Sequence, residues 1–411
     1  MISVDEAQAR LLALASPLSP IEVELSRAVR HYMYGPLVAL RTQPAADLSA
    51  MDGYAVISAD FPGPWRVIGE SAAGKPFLGT LHAGEAVRIF TGAHVPKNAD
   101  RILIQENAAR KGGIVRATQD QSAADKPHIQ QAGSDFLAGA EILKQGALLG
   151  AGQIALAAMA GYGTLCVCAR PRVAVVATGD ELVAAGSQCT AAQIPSSNSP
   201  MLRAMLSNMP CDVIDGGILP DDLAALEASL ARLAAQADVI VTTGGASVGD
   251  HDLVQPALLN IGAKMDFWKV AMRPGKPLMA GKIGDTIMLG LPGNPSSAFV
   301  TATLFLLPLL RYMSGCQTPF PELQEAITTR DLPAGGIRAE YLRARMDGGR
   351  ITPLNTQDSG LTHSLSHADA LLLQPVNGPS RAADTLVQYI RLSSNLDPIC
   401  AIVLDLTAFV L

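Results

Sequence analysis

Three short, unbroken apolar runs in the middle of the chain constrain its fold more than any other feature. Residues 173–177 lead into Thr178-Gly179-Asp180-Glu181, residues 239–241 into Thr242-Thr243-Gly244-Gly245, and residues 287–291 into Pro292-Gly293-Asn294-Pro295. Ala- and Leu-rich stretches of helical character lie between them, at 201–209 and 223–236. A strand that is apolar on both sides has to be covered on both faces, and alternation with helices supplies the cover. The pattern predicts a doubly wound α/β domain with a parallel sheet over residues 170–318.

The flanks have other textures. Residues 1–45 read as helix, with Ser3, Val4, Asp5 and Glu6 as a capping box, Leu11, Leu12 and Leu14 behind it, and a break at Pro17 and Pro20. From 46 to 139 short β-type runs at 65–68, 86–91, 101–105 and 113–116 are punctuated by Gly, Pro and Asn, which marks a β-rich module. Residues 152–159 return to helix and 164–168 are extended. After 318, alternating segments at 341–346 and 370–374 predict a small all-β C-terminal domain. A length of 411 residues accommodates this division, since domains average about 100–200 residues.

Composition excludes several classes. With 17% charged and 49% hydrophobic residues the chain has cores to build and is not disordered. No apolar run is expected to reach about 18 uncharged residues, so no membrane span is expected, and the first residues lack the basic start of a signal peptide. The cytoplasm is the expected compartment. Lys plus Arg number 31 against 37 for Asp plus Glu, and the net charge of −6 offers no general attraction to nucleic acid or an acidic membrane. An anionic ligand would have to be held by local devices. Six cysteines, Cys166, Cys168, Cys189, Cys211, Cys316 and Cys400, form no C-x-x-C pair and read as buried thiols.

Ligands of an open parallel α/β sheet bind beyond the carboxyl ends of its strands, where the three Gly-containing loops fall. Thr242-Thr243-Gly244-Gly245-Ala246-Ser247-Val248-Gly249-Asp250 is neither a P-loop nor a dinucleotide fingerprint, but its glycines let backbone N–H groups approach an anion. Arg273-Pro274-Gly275-Lys276-Pro277 sets two cations around a turn, suited to a phosphate. After Pro292-Gly293-Asn294-Pro295, Ser296 or Ser297 is placed to cap the following helix. Asp180, Glu181, Asp221, Asp222, Asp250 and Asp252 surround these cations, and carboxylates beside a phosphate call for a bridging cation such as Mg²⁺. Asp221 and Asp222 equally suit the start of the helix from Leu223. In the β-rich module, Asp52-Gly53 reads from composition as a turn, and Thr91 ends a β run.

In chain order, Ser49-Ala50-Met51-Asp52-Gly53-Tyr54-Ala55-Val56, Thr91-Gly92-Ala93 with Pro96 and Ala99-Asp100, Ala177-Thr178-Gly179-Asp180-Glu181-Leu182, Thr243-Gly244-Gly245-Ala246-Ser247-Val248-Gly249-Asp250, Arg273-Pro274-Gly275-Lys276-Pro277 and Leu291-Pro292-Gly293-Asn294-Pro295 resemble the molybdopterin molybdenumtransferases. This is the MoeA family, which includes the gephyrin E domain. The resemblance implies a homodimer of elongated four-domain subunits. These are a connecting helical and extended subdomain from 1–45 and 140–169, whose first helix is free to pack on the α/β domain, the β-rich module at 46–139, an adenylyltransferase-like α/β molybdopterin-binding domain at 170–318, and a β-barrel-like domain at 319–411.

It also implies the chemistry. Adenylylated molybdopterin and molybdate would be the substrates, Mg²⁺ the cofactor, and AMP the leaving product, in a cleft shared between subunits. Carried over by motif, Asp52, Thr91 and Asp135 face Glu181, Asp221, Asp252, Arg273 and Lys276 of the other subunit. Thr243, Gly244, Gly245, Ser247 and residues Pro292, Gly293, Asn294 and Pro295 cradle the pterin phosphate, and Arg343 in Tyr341-Leu342-Arg343 matches a basic position. Asp52, Glu181 and Asp252 are the implied metal ligands. The adenylyltransferase and downstream molybdoenzymes are the implied protein partners. The chain departs from the pattern at Asp47-Leu48, at Ser196-Ser197-Asn198, and at His363-Ser364, where the family usually has two serines. Alternative readings are an adenylyltransferase, against which Gly-Gly-Ala-Ser stands in place of Gly-Gly-Thr-Gly, and a non-catalytic molybdopterin-binding scaffold.

Overall fold

The computed structural model describes residues 1–118, 127–245 and 253–392. The chain forms two compact units, one of residues 22–29 and 35–166, the other of residues 1–21, 30–34 and 167 onward.

Helix α1, Val4–Ala13, opens the second of these units, with the Ser3 hydroxyl accepting the Glu6 N–H at 3.1 Å. The helical expectation for residues 1–45 holds for this segment alone. Leu14 caps it, and residues 15–45 hold no further α-helix, because Pro17 and Pro20 cannot continue an α-helical ladder. Val4, Ala7 and Leu11 are buried on the α/β core.

The unit of residues 22–29 and 35–166 is built on a six-stranded sheet. Its strands are β1 (Gly53–Val56), β2 (Trp65–Ser71), β3 (Glu85–Ile89), β4 (Arg101–Ile104), β5 (Ala108–Lys111) and β6 (Ile114–Ala117), in the spatial order β4-β1-β3-β2-β6-β5. Alternation splits each strand between two small cores: Tyr54, Val56, Ala86 and Leu103 on one face, Ala55, Val87 and Ile102 on the other. The helix expected at 152–159 is α2, Ala151–Met159.

The other unit carries the α/β domain. In chain order its elements are β7 (Arg172–Thr178), α3 (Asn198–Leu206), β8 (Asp212–Leu219), α4 (Leu223–Ala234), β9 (Val239–Thr243), α5 (Val254–Asn260), β10 (Lys264–Trp268), β11 (Met279–Ile283), β12 (Thr286–Leu291), α6 (Pro295–Thr301) and α7 (Leu307–Met313). The sheet order is β8-β7-β9-β12-β11-β10. The first four strands are parallel as the sequence predicts, whereas β11 and β10 extend the edge in antiparallel fashion, because β11 and β12 are joined by a tight turn rather than a helix. Val173, Val175, Val239, Val241, Ile287 and Leu289 point to the face covered by α1, α3, α6 and α7; Ala174, Val176, Ile240 and Met288 point to the face under α4 and α5. Both faces are covered, which is why these strands read as unbroken apolar runs.

From Pro295 to Met313 the helix is continuous, 19 residues long with mean hydropathy 1.3, and 78% of it is buried. Contrary to the sequence expectation, this stretch is apolar and long enough to cross a membrane; its burial makes it the central core helix of this unit. Residues Ala302–Leu306 form a wider π turn. It lies just before Pro308, which cannot donate to the carbonyl four residues back and would crowd it in a regular helix.

The C-terminal strands β13 (Leu323–Thr328), β14 (Ala339–Asp347), β15 (Arg350–Pro353), β16 (Ala370–Gln374) and β17 (Leu386–Arg391), with the short helix α8 (Thr362–Ser366), form a closed barrel. Pairing runs β14-β15-β13-β17-β16 and returns from β16 to β14. Ala326, Ala344, Ile351, Leu372 and Val387 fill the interior. The cysteines are less uniform than expected: Cys168 is buried, Cys166, Cys211 and Cys316 are half-buried, Cys189 is exposed, and Cys400 lies outside the described residues.

Phe305 is fully buried in the core shared by helix and sheet. Phe305→Ala is expected to destabilise by about 3–5 kcal/mol, read by chemical denaturation. Asp222 caps α4 by accepting the Ala225 N–H at 2.8 Å, so Asp222→Ala should cost about 1 kcal/mol.

Candidate active site

The parallel strands end level with one another: Ala177 pairs with Thr243, and Thr243 with Leu291. Beyond them the backbone segments close in. Gly244 has φ +88°, and a Cβ there would lie 2.6 Å from the Thr178 carbonyl oxygen, so no larger residue fits. A Cβ on Gly293 would lie 3.6 Å from the Gly244 Cα, which brings the loops after β9 and β12 into contact. Asn198, at the start of α3, donates its amide to the Gly293 carbonyl at 2.7 Å. Around this floor the hydroxyls of Thr178, Thr243 and Ser196 are buried without a hydrogen-bond partner among the described residues. Unpartnered buried donors at a strand-end floor are what a polar ligand would satisfy. Ser247 and Asp252 lie outside the described residues.

A cleft of about 800 Å³ opens beside the floor. One wall is residues 273–277, another is Pro292, Gly293, Asn294 and Ser297, and the third comes from the barrel: Arg338, Gln357, Asp358 and Ser359. The structure therefore brings Arg273, Lys276, Pro292, Gly293 and Asn294 together. Main-chain pairing sets this arrangement, because Met272 and Arg273 run parallel to Ala339 and Glu340 of β14. The Arg273 guanidinium lies 3.6 Å from the Glu340 carboxylate and is 60% exposed, so it remains available to a ligand.

The entry of α6 is tied to the barrel. The Asn294 amide donates to the Ser359 hydroxyl at 3.0 Å, the Ser296 N–H donates to the Ser359 carbonyl at 3.1 Å, and the Ser296 hydroxyl donates to the Leu361 carbonyl at 3.2 Å. Neither serine caps the helix, as the sequence suggested; Asn294 holds the N-cap position, without a side-chain cap hydrogen bond, and Pro295 takes the first helical position, where no N–H is missed.

Arg343 stands elsewhere than a ligand contact would. It is 1% exposed, on the face of β14 that points away from the barrel interior, donating to the carbonyls of Thr356 and Asp358 at 3.0 and 2.9 Å, while Gln357 bridges its backbone. Its side chain shapes the 356–358 wall from behind, and burial pulls its pKa below the usual arginine value. The Arg343 Nε and Nη1 have no hydrogen-bond partner among the described residues.

Among the acids, Asp180 and Asp221 clasp each other: the Asp221 N–H donates to Asp180 at 3.0 Å and the Asp180 N–H to Asp221 at 3.4 Å. The Glu181 carboxylate folds back over Gly179, where a Cβ would meet its Oε2 at 2.3 Å. In the other unit Asp52 and Thr91 are together, the Thr91 N–H and hydroxyl both donating to Asp52 Oδ1 at 2.8 Å. The Asp-Gly turn is thus also an anchored carboxylate. Gly53 is required beside it, since a Cβ would lie 2.1 Å from the Leu103 carbonyl oxygen. Asp135 sits on an exposed loop, its N–H held by the Gln43 carbonyl, with no hydrogen bond to Asp52 or Thr91. Asp52 and Glu181, two of the three implied metal ligands, belong to separate compact units, and among the described residues no group of three or more His, Cys, Asp or Glu side chains forms a metal cluster.

Sequence reasoning missed Arg338, Gln357 and Asp358. Their only local signal is a Gly-Gly-Ile-Arg turn and a polar stretch before Ser359. Asn198 appeared only as part of a departure from the family pattern.

The two Thr91 donors, N–H before hydroxyl, hold the Asp52 carboxyl below the ordinary value of 3.8. With the folded pKa below the unfolded one, the contact favours the folded state above the unfolded pKa, and that contribution disappears as pH falls through the folded value. Carboxyl titration by NMR should show Asp52 ionised to lower pH than a free aspartate, and Thr91→Val should move it back upward.

Comparison with known proteins identifies the family of the chain. Family models match along the chain: the MoeA N-terminal region (domain I and II) at residues 2–161, a probable molybdopterin binding domain at 174–312, and the MoeA C-terminal region (domain IV) at 325–392. The chain is 34% identical over 402 residues to molybdopterin molybdenumtransferase 2 of Mycobacterium tuberculosis, covering 94% of this chain and 99% of that protein. It is 34% identical over 348 residues to the molybdopterin molybdenumtransferase of Haemophilus influenzae, covering 84% and 85%. A solved molybdopterin biosynthesis MoeA protein from Pyrococcus horikoshii superposes with TM-score 0.82 at 24% identity, over 95% of this chain and all of that one, and shares the fold. With the same three regions in the same order, and a relative matched over nearly its whole length, this chain belongs to the MoeA family of molybdopterin molybdenumtransferases.

Proposed function

We propose that the protein transfers molybdenum from molybdate to adenylylated molybdopterin, with opening of the phosphoanhydride and release of AMP. The observation that carries this reading is the cleft in which Arg273, Lys276 and Arg338 converge beside the glycine floor at the carboxyl ends of the sheet. Three cations around one cavity suit a ligand with several anionic oxygens. Arg273 and Arg338 can grip phosphate oxygens in pairs, while Lys276 acts as a point charge on the leaving phosphate. The 292–294 loop and the floor at Gly244 offer backbone close to the pterin phosphate, and the free hydroxyls of Thr178 and Thr243 supply donors.

The acids suit Mg²⁺. Asp52 keeps its Oδ2 clear of the Thr91 contacts and is held ionised, and Glu181 is exposed, so both present hard carboxylate oxygens. In this reading Asp52 and Glu181, with Asp252, hold the ion; when bound, it neutralises charge on the phosphoanhydride. Asp221 orients the β7 loop through its clasp on Asp180. No side chain is asked to form a covalent intermediate, and the residues work by charge and placement. The two residue sets, Asp52, Thr91 and Asp135 on one side and the strand-end loops on the other, would be completed in a homodimer. The reading places the protein in the cytoplasm, downstream of an adenylyltransferase and upstream of the molybdoenzymes that take its product.

Incubation with adenylylated molybdopterin, Mg²⁺ and molybdate should release AMP. Lys276→Ala and Asp52→Asn should each lower that rate by about 10²–10³-fold with the fold intact. Full rates in both variants would exclude this site, and binding without turnover in the native protein would favour a scaffold. Mixing the two inactive variants should restore part of the rate if the residues act across subunits.

A further inference from the structure

Behind the barrel wall of the cleft lies a second pocket of about 260 Å³, between Arg345 on β14, the 354–356 segment and α8. The wall is shared: Asn355 and Thr356 line this pocket, whereas Gln357, Asp358 and Ser359 line the cleft. His363 and His367 both face it. They are four residues apart, on one side of α8 and its C-cap, with ring centroids 4.8 Å apart and planes at 64°.

The rings meet edge to face, and the same separation also admits an ion held between them. A divalent transition metal binds an imidazole nitrogen at about 2.0–2.1 Å, which puts each ring centroid about 3.2 Å from the ion. Two such rings at angles between square and tetrahedral then have centroids about 4.5–5.2 Å apart. The observed 4.8 Å falls inside this window. The donor set is two imidazole nitrogens with the Ser364 hydroxyl oxygen at hand; the Asn355 amide oxygen already accepts from Arg330, and among the described residues no carboxylate lines the pocket. Such a set selects borderline ions over Mg²⁺ or Ca²⁺.

We propose that His363 and His367 form a chelating site for a first-row divalent transition metal ion of the Zn²⁺, Ni²⁺ or Cu²⁺ type, its remaining positions filled by water. The site is independent of the Mg²⁺ and phosphate chemistry of the cleft. Among the described residues Arg345 lines the pocket and Arg330 reaches it through Asn355; both are exposed, so their guanidinium groups can stay in water while the ion binds. An ion here ties together the two ends of α8, a helix of five residues that is too short to hold itself. It thereby stiffens the segment that ends in the cleft wall.

The test uses the untagged full-length chain and NiCl₂ or ZnCl₂ alone, followed by calorimetry in a non-chelating buffer at neutral pH. One ion per chain should bind, with a dissociation constant on the order of micromolar. His363→Gln and His367→Gln should each weaken binding by about tenfold or more, while His82→Gln leaves it unchanged and Arg345→Ala tightens it. With Cu²⁺, electron paramagnetic resonance should show two nitrogen ligands in the native chain and one in either variant. Circular dichroism of the variants checks that the barrel is folded. No binding by the native chain, or undiminished binding in the folded double variant, overturns the proposal.

Discussion

Two residues of backbone pairing hold the cleft in being. Met272 and Arg273 lie parallel to Ala339 and Glu340, and the Ala339 N–H also donates to the Ala271 carbonyl at 3.0 Å. This ladder attaches the barrel to the α/β domain at the point where the cationic loop begins, so Arg273 and Arg338 reach one cavity although a helix, two sheet strands and a barrel strand separate them in the chain. The bonds from Asn294 and Ser296 to the Ser359–Leu361 segment close the opposite side. Tyr341, Leu371 and Ile390 of the barrel then join the same apolar core as the sheet and α1, which gives the junction hydrophobic support as well as hydrogen bonds.

The α/β domain was the most legible part of the sequence because burial on both faces leaves a local mark. Residues 173–177 are apolar from end to end since alternate side chains enter two different cores. The antiparallel edge was not legible: β10 carries Lys264 and Asp266 where it faces solvent, and β11 holds Gly281 and Lys282, so neither reads as an unbroken apolar run. Barrel closure was equally hidden, because it depends on β14 pairing with both β15 and β16, a relation no single segment displays. At the N-terminus the leucines behind Ser3 extended the helical reading past Pro17; Leu11 is buried in the core and Leu12 and Leu14 pack half-buried against it, but the helix itself ends at Ala13.

The site divides in the same way. Arg273, Lys276 and the 292–294 turn announce themselves as short motifs at strand ends, where sheet geometry alone brings them together. Asp52 looked like a turn residue because its partner, Thr91, becomes a neighbour only through the pairing of β1 with β3. Arg343 shows the opposite error. A basic residue in a matched motif suggests contact with an anion, yet its place on β14 buries it under the 356–358 segment, where it supports carbonyls of the wall. Arg338 and Gln357 had no local signal, since tertiary pairing alone makes them part of the cleft.

The floor at Gly244 and Gly293 has a consequence for how such a protein can change over time. Its contacts are backbone against backbone, with the Thr178 carbonyl, Gly244 and Gly293 packed too closely to admit a side chain at Gly244. A surface made of main chain has no residue identity to vary in small steps. Ligand preference can drift through the cations and the barrel wall, where side chains are exchangeable one at a time, while the floor can only be inherited whole or lost.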